Sequence, residues 1–156
     1  MSNLKHLLIV AHAPSPNIKR MVDAVIRGAD HHEIQGIDVK FTPALEAQPD
    51  DVISADAIIL GTPENLGYMS GALKDFFDRS YYLCMDKTEA LPCVIFIRAG
   101  NDGTGTKRAL ESILTGLRWN IVQEPLICRG DFQEEFIEQC EELGMLMAAG
   151  LEAGVF

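Results

Sequence analysis

The sequence predicts an α/β three-layer sandwich built on a five-stranded parallel sheet of order 2-1-3-4-5, and three observations carry that prediction. Leu7–Ala11, Ala57–Leu60 and Cys93–Ile97 are continuous apolar runs, as expected for strands covered on both faces. Between the strand-like segments the apolar spacing switches to three and four, the period of a helix that buries one face. Strand and helix patterns alternate along the chain. A parallel pair needs a crossover, and right-handed crossovers set helices on both sides of the sheet.

The elements follow in order. After the first strand, Ile18, Met21, Val22, Val25, Ile26 and Ala29 form a helical stripe. Ile37–Phe41 alternates apolar with polar residues, which marks a strand at a sheet edge. Pro43–Ala55 is short and carries prolines, so its helix is expected to be brief or irregular. The third strand leads into Leu73, Phe76, Phe77, Tyr81 and Cys84, and the fourth into Leu110, Ile113, Leu114 and Leu117. The fifth strand, around Ile121–Cys128, is broken by Pro125, which cannot donate to a ladder and so belongs at the other edge. Phe136, Cys140, Leu143 and Met147 mark the last helix, and Gly150–Phe156 is expected to fray.

Residues 1–156 fit one domain with one core. Hydrophobic residues make up 47% and charged residues 23%, the balance of a folded globule rather than a disordered chain. A net charge of −10 repels phosphate backbones and anionic lipid, which argues against nucleic acid as a partner. The same charge serves solubility, and would also steer a carrier of electrons toward basic partners. No apolar run approaches the roughly 20 residues of a membrane span, so no membrane insertion is expected. Met1–His6 shows no export leader pattern, and a cytoplasmic protein is the expectation. Cys84, Cys93, Cys128 and Cys140 lack CxxC spacing and lie in apolar patterns, reading as buried thiols rather than a metal site.

In a doubly wound sheet the loops after the first, third and fourth strands reach the ligand crevice. The first, His12-Ala13-Pro14-Ser15-Pro16-Asn17-Ile18, opens a helix whose free amides and positive dipole end suit a phosphate, with Ser15 and Asn17 as added donors. Ser15 or Asn17 could equally be a helix cap, and His12 a phosphate contact or a satisfied surface group. The second, Gly61-Thr62-Pro63-Glu64-Asn65-Leu66-Gly67-Tyr68-Met69-Ser70-Gly71, can lay backbone along the polar edge of a planar ring, Gly61, Gly67 and Gly71 allowing close approach. The third, Ala99-Gly100-Asn101-Asp102-Gly103-Thr104-Gly105-Thr106, is glycine-rich and precedes a helix, a common arrangement in which Thr104 or Thr106 could be only a cap.

The stretch from Gly61 to Arg79 resembles the flavin loop of the flavodoxin superfamily. It is most similar to the NAD(P)H-dependent FMN reductases and the tryptophan-repressor-binding-protein type of quinone reductases, with Gly61, Thr62, Pro63, Gly67, Met69, Phe76 and Asp78 in register with their pattern. The resemblance implies a flavodoxin-like fold holding FMN. His12, Ser15, Pro16, Asn17 and Ile18 would meet the phosphate, Pro63, Glu64, Asn65, Leu66, Gly67 and Tyr68 the ring, and Ala99, Gly100, Asn101 and Gly103 would close over its other side. In the first loop Ile18 stands where flavodoxins usually have threonine, a departure familiar in the quinone-reductase branch. Pro14 and Pro16 each remove an amide donor. The third loop lacks the aromatic that many flavodoxins stack on the ring, leaving Tyr68 as the nearest stacking candidate.

The carboxyl ends of the strands exclude other readings. A receiver domain needs an acidic pair where Ala11-His12 stands and an aspartate at Gly61. A dinucleotide-binding fold needs Gly-x-Gly-x-x-Gly after the first strand, and a serine hydrolase needs Gly-x-Ser-x-Gly; neither run exists. What remains is an enzyme in which NAD(P)H, a transient donor, reduces bound FMN for a quinone, flavin or similar small-molecule acceptor. The alternative is a flavodoxin-like carrier serving redox partner proteins without small-molecule turnover. In both, the chemistry is on the FMN and no side chain is assigned as catalytic. Relatives of the enzyme type are often dimers or tetramers, so the resemblance also raises a homo-oligomer.

Overall fold

The computed structural model describes residues 3–156. Seven strands and five helices follow the alternation read from the sequence: β1 (Lys5–Ala11), α1 (Pro16–Ala29), β2 (Ile37–Pro43), α2 (Pro49–Ile53), β3 (Ala57–Asn65), β4 (Tyr68–Met69), α3 (Gly71–Cys84), β5 (Pro92–Ala99), α4 (Thr104–Leu117), β6 (Asn120–Ile121), β7 (Leu126–Arg129) and α5 (Glu134–Ala153). The main sheet is parallel and runs β2-β1-β3-β5, with β6 and β7 both on the outer side of β5. Those two short segments are the single fifth strand of the prediction, divided in the stretch that contains Pro125.

Alternation along each central strand sorts the core into two layers. Leu8, Val10, Ile58, Leu60, Ile95 and Ile97 face the side covered by α3 and α4, where Leu73, Phe76, Leu110 and Leu114 meet them. Leu7, Ile9, Ile59, Val94 and Phe96 face the other side, against Met21, Val25, Cys140 and Met147 of α1 and α5. Two-sided burial of the central strands explains their unbroken apolar runs, and the half-exposed β2 explains its alternation.

Helices α1 and α5 lie close together on one face. A Cβ on Gly28 would sit 1.9 Å from the Glu141 carbonyl oxygen, and one on Gly144 would sit 2.0 Å from that of Val25. On the opposite face Arg79 of α3 donates from Nη1 to the Ala47 carbonyl at 2.6 Å and from Nη2 to that of Ala44 at 2.8 Å, and its Nε meets Asp75 at 2.7 Å. Arg79 thereby fastens the irregular turn before α2, the brief helix expected after Pro43. The end of the chain differs from the expectation of fraying: α5 continues to Ala153, Gly154 caps it in the left-handed conformation, and Val155 N–H donates to the Gly150 carbonyl at 3.1 Å. The Phe156 ring packs over Gly150, its Cζ 2.3 Å from where a Cβ would stand.

Candidate functional site

All parallel strands end on one rim, which brings the three loops together. β1 and β3 are direct neighbours with Ala11 opposite Gly61, and the ladder is extended by His12 N–H donating to the Gly61 carbonyl at 3.2 Å. The first loop therefore stands beside the second. β3 pairs in turn with β5 up to Pro63 opposite Arg98, which sets the second loop beside the third.

The first loop ends in a capped helix. Ser15 is the N-cap of α1 and its Oγ accepts from Ile18 N–H at 3.4 Å, with Pro16 at the first helical position, where a missing N–H costs nothing. The first turn carries no acidic side chain, and Ser15, Pro16 and Asn17 are exposed on the rim while Ile18 is buried beneath them. His12 is half-buried, and its Nδ1 is enclosed without a hydrogen-bond partner.

The second loop is a β-hairpin, which the sequence reading did not contain. β3 runs on through Pro63 and Glu64 to Asn65 and folds back as β4, with Glu64 opposite Met69 and Asn65 opposite Tyr68. The two turn residues, Leu66 and Gly67, have φ of 53° and 75°, the double left-handed geometry of a two-residue hairpin turn. Such turns usually carry Asn-Gly. A leucine there is strained, and its side chain stands wholly in solvent at the tip. Asn65 and Tyr68 are also exposed, so this edge of the crevice offers backbone polar groups and one phenol ring.

The third loop is held from both sides. Arg129 Nε donates to the Asp102 carbonyl at 2.6 Å and Gly130 N–H to that of Ala99 at 2.9 Å. From the hairpin, Glu64 accepts from Asn101 N–H at 3.0 Å and from Gly103 N–H at 2.9 Å, one amide to each carboxylate oxygen. Asp102 Oδ1 accepts from Thr104 N–H at 3.0 Å. Two chain carboxylates thus take up amides at and just before the start of α4, whereas the first turn of α1 carries no acidic side chain and its dipole suits an outside anion.

The glycines of the motif have separate causes. Gly61 has the Phe96 ring where a side chain would go, its Cζ 2.1 Å from an ideal Cβ, so this glycine answers to core packing. Gly105 faces the Gly67 carbonyl oxygen, 2.4 Å from an ideal Cβ, so the hairpin tip rests on the first turn of α4. The Phe76 and Asp78 part of the motif is away from the crevice: Phe76 is in the core, and Asp78 Oδ1 pairs with Lys74 Nζ at 2.6 Å on the outer face of α3. The Lys74 pKa is raised because its ammonium donates a hydrogen bond to the Asp78 carboxylate, whose charge, with Tyr68, adds to the effect.

The residues of the sequence prediction therefore fall in three adjoining segments at the strand ends, with Ile18 of α1 and Ala99 of β5 buried beneath the rim. The sequence did not disclose what joins them: the carboxylate of Glu64, the Arg129 contact, and the hydroxyl of Thr62, which accepts from Ser70 N–H at 2.9 Å under the hairpin. A cleft of about 320 Å³ is elsewhere: it lies between β1, β2 and α2, lined by His6, Asp38, Lys40 and Asp51, and is spanned by ion pairs of those side chains. A smaller slot of about 250 Å³ borders the first loop, between Val22 and Pro43, and is mostly apolar.

A parallel sheet in this order defines the flavodoxin-like class of α/β proteins, in which ligands bind where the first and third strands diverge. An archaeal flavodoxin structure superposes with a TM-score of 0.78 over 95% of this chain and 99% of that one, at 18% identity, a likeness of fold. The chain belongs to the NADPH-dependent FMN reductase family, whose sequence profile matches residues 30–132. A protein of Aquifex aeolicus named flavodoxin is 31% identical over 111 residues, covering 71% of this chain and 59% of that protein. An NAD(P)H dehydrogenase (quinone) of Acidithiobacillus ferrooxidans is 28% identical over 95 residues, 49% of this chain and 48% of that one. The chain spans about half the length of these curated relatives. Among the described residues no helix is long and apolar enough to cross a membrane.

Proposed function

We propose that the crevice binds FMN, and that the loaded protein is an NAD(P)H-dependent oxidoreductase acting on a quinone, flavin or similar small acceptor. The observation that carries this reading is the adjacency of the acid-free α1 terminus and the Pro63–Tyr68 hairpin on one rim. The first suits a phosphate; the second presents a backbone edge to a flat heterocycle. The residues present fit the cofactor, since the buried, unpartnered Nδ1 of His12 also lies beside that helix start.

FMN, when bound, supplies the hydride and electron chemistry. The chain's own residues bind and orient. Ser15 and Asn17, with amides of the first turn of α1, receive the phosphate; Pro14 and Pro16 limit the donors to those amides. Pro63–Tyr68 holds one edge of the ring and Gly100–Gly103 the other, with Tyr68 available for stacking.

A second reading, a carrier that serves partner proteins, is supported by the 31% identity to the Aquifex protein named flavodoxin and by the net charge of −10. Titration with FMN, followed by anaerobic mixing with NADH or NADPH, separates the readings. Protein that turns yellow and is then bleached by a nicotinamide within seconds supports the enzyme. Yellow protein inert to both donors supports the carrier. Absence of FMN binding at micromolar concentration ends both.

A further inference from the structure

We propose that Glu64 is a positioning residue which joins the hairpin and the third loop into one cradle before a cofactor arrives. The inference rests on the flavin reading of the crevice, and extends it to how the site is preorganised.

The geometry is specific. Both oxygens of the carboxylate are engaged, one with Asn101 N–H at 3.0 Å and the other with Gly103 N–H at 2.9 Å. Hydrogen bonds to an ionised acceptor are the stronger kind. Gly100, Asn101 and Asp102 are exposed, so this part of the loop draws little support from burial. Its attachments on the far side come from Arg129 and Gly130; on the crevice side, Glu64 supplies the hydrogen bonds. Gly67 meets Gly105 in a second contact a few residues along, and this one has no charge. Glu64 therefore sets the spacing between two loops that would hold opposite sides of a planar ring.

A carboxylate at the amino end of α4 could instead serve only that helix. The two roles separate by measurement. In the cofactor-free protein, Glu64→Ala is expected to speed hydrogen exchange at the Asn101 and Gly103 amides by at least about tenfold, the factor that corresponds to one lost charge-assisted bond. Amides of β5, such as Val94 and Ile95, keep their protection. The dissociation constant for FMN rises by at least about tenfold in the same variant. Glu64→Gln falls between, since its one carboxamide oxygen can satisfy one amide while its NH2 group opposes the other.

Unchanged exchange at both amides in Glu64→Ala would overturn the proposal. So would faster exchange with FMN affinity within about twofold of the parent, because the loops would then be uncoupled without consequence for the cradle. If Glu64→Ala does not fold, Glu64→Gln carries the comparison. A parent protein that takes up no FMN removes the flavin reading, and the exchange comparison still decides whether Glu64 couples the two loops.

Discussion

Thr62 and Ser70 are tied together at the base of the hairpin: Ser70 N–H donates to Thr62 Oγ1 at 2.9 Å, and that hydroxyl donates to the Pro63 carbonyl at 2.8 Å. Both residues are fully buried. Ser70 Oγ in turn accepts from Leu73 N–H at 3.2 Å and caps α3. Two hydroxyls thus link the outgoing strand, the returning strand and the helix behind them.

Thr62→Val keeps the side-chain shape and removes that hydroxyl, leaving the Ser70 amide without its acceptor in a buried setting. The expected loss is about 1–3 kcal/mol of unfolding free energy in urea denaturation. Thr62→Ser should restore most of it. A valine variant within about 0.5 kcal/mol of the parent would show that water takes over the bond.

The α1–α5 contact predicts a different failure. Ala at Gly28 or Gly144 puts a methyl group against a backbone carbonyl, and neither helix backbone can yield locally. Each substitution is expected to cost about 1–3 kcal/mol. The double variant should cost less than the sum, since one separation of the helices accommodates both methyl groups. Thermal unfolding of the three variants measures this, and strict additivity would contradict it.

Much of the sheet was legible because both faces of its central strands are buried. Leu7–Ala11, Ala57–Leu60 and Cys93–Ile97 could not be read as anything half-solvated, and Pro125 announced the divided edge. The hairpin was not legible. Its ladder has only two residue pairs, its residues are mostly polar, and its turn is Leu66-Gly67 where Asn-Gly would have signalled it. Glu64 was assigned to the crevice as a lining residue. Its link to Asn101 spans 37 positions and depends on the parallel pairing of β3 with β5, which no local pattern encodes. The closing of the chain end by Phe156 is likewise a contact with a glycine that only the finished helix presents.

The cysteines predict slow chemistry. All four are buried, burial pushes the Cys93 thiol up to about 12, and the Cys84 thiol is raised for the same reason. The interaction between the Cys128 and Cys140 thiols lowers the first and raises the second, with the Arg98 guanidinium also favouring the Cys128 thiolate. A thiolate is the reactive form, and access limits all four. Native protein should react slowly with an aromatic disulfide reagent, and unfolded protein should titrate four thiols at once. Rapid reaction of any one in the native state would place it outside the core.

Asp51 predicts part of the acid response. Burial works to raise its pKa, but the Gln48 N–H at 2.8 Å and the Lys40 ammonium at 3.0 Å outweigh it, and the carboxyl lies below its ordinary value. A carboxylate lowered by folding stabilises the folded state above its unfolded pKa. That contribution is complete above the ordinary aspartate pKa of about 4 and fades as pH falls through the lower folded value. Denaturation of the parent and of Asp51→Asn should therefore differ most near neutral pH and converge in acid. A gap that stays constant from neutral pH to about pH 2 would contradict this assignment.

The split in the last strand has a consequence for how copies of the chain behave when crowded. β6 has two residues and β7 has four, while β2 on the far margin ends in Pro43 and carries outward-facing Asp38 and Lys40. The divided margin gives a foreign peptide no long, flat row of amides to zip onto, which is the usual route to amyloid-like stacking, and on β2 the charged side chains oppose it. Mending the break, by replacing Pro125 with a β-branched residue, would lengthen that border and trade resistance to aggregation for a more regular sheet.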